Sequence, residues 1–261
     1  MARLTRRPIG VFDSGLGGLT VARDILRELP QEEVLFLADH ANAPYGEKTP
    51  EELTEITERA VPTLIAEGAK VVVLACNTAS VSMVESLRHK YPETPFVAVV
   101  PMIKPAAALT STGTVAVFAT EITLNSDLYA RLKAKYASQV TVIDLPCPEW
   151  VRMVESGEIV TETLQDKLTA AFQANADKFV LGCTHFPFLI DELRPLIKGR
   201  AELLESGPAV ARQVRRILTA NEELAEGTGT IRYLTSGAHP TPSTIARKLT
   251  GWNVRFQTVG N

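Results

Sequence analysis

The chain has 261 residues, of which 45% are hydrophobic and 22% are charged, with a formal net charge of −3, a composition typical of a globular chain that forms one large domain or two smaller ones. Its pI of about 5.9 excludes the broadly basic surface of many nucleic-acid-binding proteins, and no apolar run approaches the length of a membrane span. Pro8 and Asp13 interrupt the basic start before a signal-peptide apolar region can form, so we expect a cytoplasmic protein.

Short apolar runs alternate with amphipathic segments in the first hundred residues, which predicts parallel strands connected by helices. Strands are predicted at 8–12, 34–39, 71–75 and 96–100, and a helix over about 50–67. The first strand ends at Asp13 and the third at Cys76, with Asn77 and Thr78 beside the thiol as donors. Since open α/β sheets bind ligands at the carboxyl ends of their strands, Cys76 is a candidate site residue.

The second half of the chain repeats the first. Strands predicted at 114–120, 140–144, 179–182 and 201–206 follow in the same order, and Cys183 lies 107 positions after Cys76 (183 − 76). A nearly constant offset indicates an internal duplication, and the alternative is the loose periodicity of any α/β chain. We therefore expect an α/β protein of two pseudo-twofold-related lobes, each a mostly parallel sheet flanked by helices, with the active site in the cleft between them.

The segment after Ser206 lies outside this repeat. It predicts a helix over 208–219, a strand at 230–235, a helix over 241–249 and a last strand at 254–256. We expect it to fold back onto the first lobe. The predicted domains are therefore 1–100 plus 208–261 for the first lobe and 101–207 for the second.

Three cysteines, an odd number and widely spaced, do not form a disulfide framework. A single strand-end cysteine is more often a buried hydrophobic residue than a nucleophile, but Cys76 and Cys183 occupy equivalent positions. His185 beside Cys183, and Asp13 near Cys76, would give each thiol a partner that exchanges its proton. Cys147 lies outside both motifs and is predicted to be structural.

Other kinds of site fit the sequence less well. Zinc usually requires a short Cys-x-x-Cys spacing that the chain lacks, so no metal is predicted. The glycines at 15, 17 and 18 are followed by Thr20 where a dinucleotide-binding loop has its third glycine, and no Gly-Lys-Ser/Thr of a P-loop follows. We expect these glycines to let the backbone approach a small ligand and to start a helix.

Four motifs in chain order then carry a resemblance to a known family. They are FDSGLGG at 12–18, PYG at 44–46, ACNTAS at 75–80 and LGCTHFP at 181–187. Together they resemble the glutamate racemases of the aspartate/glutamate racemase superfamily over nearly the whole chain. Two segments should be compared with the family pattern. The family segment CPxFVPLVE appears here as CPEWVRMVE at 147–155, and the acid that the family usually has before Ser-Gly in the fourth strand of the second lobe is Glu205 here.

The resemblance implies an enzyme without cofactors that interconverts L- and D-glutamate and supplies D-glutamate for bacterial peptidoglycan. It also implies two lobes, often a homodimer, and in some members binding to DNA gyrase. The acidic pI and the short apolar runs predict no direct nucleic-acid partner and no membrane partner. By the same resemblance Cys76 and Cys183 are the two catalytic acid/bases, and Asp13 and His185 assist them. The substrate-binding residues that it implies are Asp13, Ser14, Tyr45, Gly46, Asn77, Thr78, Thr120, Thr123, Thr184 and His185.

The chemistry of racemisation is consistent with two thiols that act as acid and base. Racemisation removes a weakly acidic α-proton from one face of a carbon and returns a proton to the other, and two opposed groups reach both faces. Three alternatives remain open: an aspartate or related racemase, a non-catalytic amino-acid-binding or inhibitor module, and a hydrolase with Cys183 as nucleophile and His185 as base. The separation of two residues disfavours the hydrolase geometry, which would also leave Cys76 unused.

Overall fold

The structure is a computed structural model that describes residues 7–237 and 241–259. Its first sheet has six strands, which are β1 (Ile9–Asp13), β2 (Val34–Ala38), β3 (Val71–Leu74), β4 (Phe96–Ala98), β9 (Ile231–Thr235) and β10 (Phe256–Thr258). They are all paired in parallel, in the order β10-β9-β2-β1-β3-β4.

The second sheet has four parallel strands in the order β6-β5-β7-β8. They are β5 (Thr114–Ala119), β6 (Thr141–Pro146), β7 (Lys178–Leu181) and β8 (Glu202–Glu205). In chain order this arrangement matches β2-β1-β3-β4 of the first sheet. The predicted architecture of two mostly parallel sheets flanked by helices is therefore confirmed.

Eleven helices of the described residues connect and cover the strands. They are α1 (Leu19–Glu28), α2 (Pro50–Ala66), α3 (Asn77–Lys90), α4 (Ile103–Leu109), α5 (Glu121–Asn125), α6 (Asp127–Tyr136), α7 (Pro148–Ser156), α8 (Thr161–Gln173), α9 (Ile190–Ile197), α10 (Gly207–Ala220) and α11 (Thr241–Thr250). The local sequence determines where helix α2 begins, because the Thr49 and Glu52 side chains form a capping box and Pro50 occupies the first turn. Within the described residues, no helix is long and apolar enough to cross a membrane.

The central strands of the first sheet are buried on both faces. Val71 and Val73 belong to the apolar cluster on one face, whereas Val72 and Leu74 belong to the cluster on the other. This explains why the strand has a continuous apolar run rather than an alternating pattern. Helices on both faces therefore leave the strand ends as the places where polar side chains can gather.

The last part of the chain joins the first sheet, since β9 pairs with β2 and β10 with β9. The sequence placed the last strand at 254–256, two residues before its observed position at Phe256–Thr258. Short strands are located poorly by pattern because three or four residues carry little periodicity. The lobe boundaries at 100 and 207 stay a prediction.

Candidate active site

A cavity of about 190 Å³ lies where the carboxyl ends of the two sheets approach each other. Each sheet contributes one thiol to it, because Cys76 lies two residues after the end of β3 and Cys183 lies two residues after the end of β7. The predicted site residues that line it are Ser14, Tyr45, Gly46, Cys76, Asn77, Thr78, Thr120, Cys183, Thr184 and His185. Asp13 and Thr123 do not line the cavity; both are fully buried and contact residues that do.

Cys76 sits at the turn from β3 into α3 and is 6% exposed. Its sulfur lies 3.6 Å from the Ser14 hydroxyl oxygen. Burial, together with the negative charge of Asp13, raises the pKa of the Cys76 thiol to about 12. Cys76 is therefore a protonated thiol at neutral pH, which is the form of a proton donor.

The environment of Cys183 differs from that of Cys76, because a histidine lies beside the Cys183 thiol. Its sulfur lies 3.5 Å from His185 Nδ1, and His185 Nε2 lies 2.6 Å from the Glu155 carboxylate. Burial lowers the pKa of His185, but the Cys183 sulfur and Glu155 outweigh it and raise that pKa well above its usual value. The predicted contact of His185 with the Cys183 thiol is present, because the chain turns at Cys183 before the 3-10 turn Phe186–Leu189 begins.

Asp13 does not hydrogen-bond to Cys76, although the sequence suggested it as the thiol's partner. Its carboxylate accepts hydrogen bonds from the Gly15 N–H at 2.8 Å and the Thr184 hydroxyl at 3.0 Å. Burial raises the pKa of Asp13 and outweighs the charge of His185, which lowers it. Asp13 thus connects the first strand end to the Cys183 loop and reaches Cys76 only through its charge.

A chain of hydroxyl groups joins the two lobes beside Cys76. The Thr78 and Thr120 hydroxyl oxygens are 3.0 Å apart, and the Thr120 hydroxyl donates to Thr123 Oγ1 at 3.0 Å. Gly46 packs against Thr120 so closely that a β-carbon would lie 3.2 Å from the Thr120 methyl. Thr123 therefore supports the cavity wall rather than forming it.

Tyr45 is held by the carboxylate of Asp39, which was not among the residues predicted for the site. Its hydroxyl donates to Asp39 Oδ2 at 2.5 Å, and Asn42 Nδ2 donates to both oxygens of the same carboxylate. Tyr45 is 1% exposed, so this bond fixes the loop that carries Pro44 and Gly46. The sequence feature that could have identified Asp39 as a site residue is its position directly after the end of β2.

Asn77 offers unused hydrogen-bonding groups to the cavity. It is 3% exposed, and neither its amide nitrogen nor its amide oxygen has a partner among the described residues. A buried amide without partners costs free energy, which a polar ligand would recover. Asn77 also begins the 14-residue helix α3, whose N-terminus favours a negatively charged group.

The glycines near β1 allow side chains of the second lobe to approach. A β-carbon on Gly15 would lie 2.1 Å from Glu155 Oε1, and one on Gly17 would lie 2.5 Å from His185 Nδ1. The Leu16 N–H donates to the same Glu155 oxygen at 2.7 Å. The close approach expected of these glycines is therefore directed to His185 and Glu155.

Several lining residues had no assigned role from the sequence. They are Ala43, Pro44, Glu47, Glu121, Pro148, Val151, Arg152 and Glu155. Glu155 ends the 147–155 segment, whose match to the family pattern was the signal for it. In the described part of the chain, no group of three His, Cys, Asp or Glu side chains has the arrangement of a metal site.

Known proteins are similar to this chain in both sequence and fold. The model of the family described as Asp/Glu/Hydantoin racemase matches residues 9–214. A glutamate racemase of Pseudomonas aeruginosa is 45% identical over 233 residues, which is 87% of this chain and 88% of that protein.

Two solved structures are also similar. A glutamate racemase isoform of Bacillus anthracis has a TM-score of 0.86 and 28% identity, and the match covers 97% of both chains. Escherichia coli glutamate racemase, solved with L-glutamate and an activator, has a TM-score of 0.81 and 31% identity, again over 97% of both chains. With a family match over most of its length, this chain belongs to the Asp/Glu/hydantoin racemase family.

Proposed function

We propose that the protein interconverts L- and D-glutamate by proton transfer between the substrate α-carbon and two thiols, Cys76 and Cys183. The observation that carries the proposal is that each sheet contributes one cysteine to the same cavity. The names of the relatives support glutamate as the substrate. A thiol on each side of a held carbon can remove a proton from one face and return another to the opposite face.

The surroundings of the two sulfurs favour opposite protonation states before the reaction, a thiol at Cys76 and a thiolate at Cys183. Cys76, with its pKa raised to about 12, begins as a thiol. The His185 imidazolium, 3.5 Å from Cys183, stabilises negative charge on that sulfur. Cys183 then takes the α-proton of L-glutamate as a thiolate and Cys76 delivers its proton to the other face. The enzyme is left with the thiol and thiolate exchanged, which is the state needed for the reverse reaction.

Negative charge develops on the substrate when the α-proton leaves. The donors that face the cavity are the Asn77 amide and the hydroxyls of Ser14, Thr78 and Thr184. Because these groups are held by the protein, they stabilise the developing charge without reorganising, which is the main advantage of such a site over water.

The activity is tested with purified protein and one glutamate enantiomer, without added pyridoxal phosphate, metal or nucleotide. We expect the circular dichroism signal to decay to zero as the racemic mixture forms. A constant signal with glutamate and a decaying one with aspartate would assign the protein to aspartate instead.

The mechanism is tested with Cys76→Ser and Cys183→Ser. Neither variant should racemise, because a hydroxyl is far too weak an acid or base at neutral pH to replace a thiol. Each should still release chloride from glutamate chlorinated at the β-carbon, since elimination needs only one base. We expect Cys76→Ser to act on the L-isomer and Cys183→Ser on the D-isomer. The same enantiomer preference in both would refute the two-thiol mechanism.

A Cys-His hydrolase is the second candidate, because Cys183, His185 and Glu155 form a hydrogen-bonded series. A hydrolase would not need Cys76. Loss of activity in Cys76→Ser, in a protein that remains folded, would exclude it.

We also infer that D-glutamate made by this protein is used for bacterial peptidoglycan and that the protein is a homodimer. Family resemblance supports both. Depletion of the protein in its host should then create a requirement for D-glutamate, and sedimentation should give twice the chain mass.

A further inference from the structure

An ion pair closes part of the solvent-facing end of the cavity. Arg152 Nη1 lies 3.1 Å from Glu47 Oε1, and the two side chains are 59% and 58% exposed. Arg152 belongs to α7, which follows β6 of the second sheet, whereas Glu47 ends the 3-10 turn Tyr45–Glu47 beside the first sheet. Both residues line the cavity that contains the two thiols.

The two backbones that carry this pair are fixed. Tyr45, in the same turn as Glu47, is buried and bonded to Asp39. On α7, Trp150 and Met153 on either side of Arg152 are buried in an apolar cluster that packs against β5 and β7 of the second sheet. The guanidinium and the carboxylate are therefore exposed ends of side chains carried on elements that are anchored by buried residues.

The charge around the cavity gives Arg152 a role. Among the described lining residues, Arg152 carries the sole guanidinium or ammonium group, while Glu47, Glu121 and Glu155 are carboxylates. His185 is already engaged by Glu155. A dicarboxylic amino acid carries two negative charges and one positive charge, so it meets repulsion from these carboxylates at the opening unless a cation faces it.

We propose that Arg152 is a substrate-recognition residue, whose guanidinium leaves Glu47 to bind a carboxylate of the incoming dicarboxylic amino acid. The inference rests on the proposed function, because it names a recognition group for that substrate. Arg152 stands where the family segment CPxFVPLVE, which this part of the chain resembles, has proline. Planar guanidinium groups bind carboxylates through two parallel hydrogen bonds, which suits the exchange of one carboxylate for another.

The exchange is feasible because the resting pair is weak. Exposed ion pairs stabilise proteins only slightly, so little is lost when Glu47 gives up Arg152. For the same reason, removing the guanidinium should raise KM for glutamate by about three- to ten-fold rather than abolish activity. Removing Glu47 frees the guanidinium and should lower KM by about two- to three-fold.

The test compares Arg152→Gln, Arg152→Lys and Glu47→Gln by initial rates of glutamate racemisation. Arg131 and Glu85 provide a matched control, because their side chains also form an exposed ion pair between the lobes, at 2.9 Å and with 61% and 70% exposure, yet neither lines the cavity. We expect Arg152→Gln to raise KM with kcat unchanged, Arg152→Lys to restore most of the loss, and Glu47→Gln to lower KM. Arg131→Gln should behave as the wild type.

Two results would overturn the inference. If Arg152→Gln has the wild-type KM, Arg152 does not recognise substrate. If Arg152→Gln and Glu47→Gln raise KM equally, the pair is a mechanical latch, because a latch depends on both partners in the same direction whereas recognition depends on them in opposite directions.

A binding measurement separates failure of this inference from failure of the proposed function. Calorimetric titration with glutarate, which has two carboxylates, and with butyrate, which has one, requires no turnover. Arg152→Gln should weaken glutarate binding about three- to ten-fold and change butyrate binding less. Wild-type protein that fails to racemise glutamate refutes the proposed function, and equal glutarate binding by wild type and Arg152→Gln refutes the role of Arg152 alone.

Discussion

Glu155 connects the lobes at the site, and its replacement by glutamine tests how His185 is controlled. The Glu155 carboxylate accepts the Leu16 N–H at 2.7 Å and faces His185 Nε2 at 2.6 Å. Burial raises the pKa of Glu155, but the hydrogen bond and charge of His185 more than offset this, so that its pKa is lowered. Glutamine keeps the size of the side chain and removes its charge.

The size of the effect follows from the lost charge. Hydrogen bonds to charged groups contribute about 1.5–3 kcal/mol, which corresponds to roughly 10- to 150-fold in an equilibrium. We expect kcat/KM of Glu155→Gln to fall by an amount within this range. Since Glu155 raises the pKa of His185, its removal lowers that pKa, and the alkaline limb of the pH profile should move to lower pH.

The same change should lower the free energy of unfolding at pH 7 by about 1.5–3 kcal/mol. A carboxylate whose pKa is lowered in the folded state stabilises the fold above its ordinary pKa and loses this contribution as the pH falls. The difference between Glu155→Gln and wild type should therefore be present at neutral pH and shrink as the pH falls below the ordinary carboxylate value of about 4.3.

The assays are a pH profile of racemisation and urea unfolding at pH 7 and at acidic pH. Glu149→Gln is the matched control, because Glu149 lies on the same helix with the same 27% exposure but pairs with Lys167 and does not line the cavity. An unchanged alkaline limb in Glu155→Gln, or an equal shift in Glu149→Gln, would refute the reasoning.

Three further predictions concern the cysteines and a buried ion pair. Cys147→Ala should keep most of the activity, since Cys147 is buried away from the cavity with its thiol donating to the Leu145 carbonyl, and loss comparable to Cys76→Ala in a folded protein would contradict this. Iodoacetamide at pH 8 should modify Cys183 before Cys76, because only the first has an imidazole beside it and the second has a pKa of about 12; peptide mass mapping over time decides. Lys70→Met should destabilise the protein by about 3–5 kcal/mol in chemical unfolding, because it leaves the buried Glu32 carboxylate, 2.6 Å away, without its cation, and an unchanged midpoint would refute this.

The sequence by itself determined the elements and the two thiols. A run such as Val71–Leu74 predicts a buried strand because continuous apolar character and polar ends are local properties of the chain. The repeated order of strands predicted two similar sheets, and strand-end positions predicted that Cys76 and Cys183 lie near a ligand. Each of these inferences depends on neighbouring residues or on a simple repeat.

Only the tertiary structure decided which side chains meet across the lobes. Asp13 bonds to Thr184 rather than to Cys76, and Glu155 bonds to His185 thirty residues further along the chain. Arg152 meets Glu47 at the opening of the cavity. Such contacts depend on the relative position of the two sheets. A pattern of strands and helices holds no record of that position, because the strand pairing of each sheet is made within that sheet.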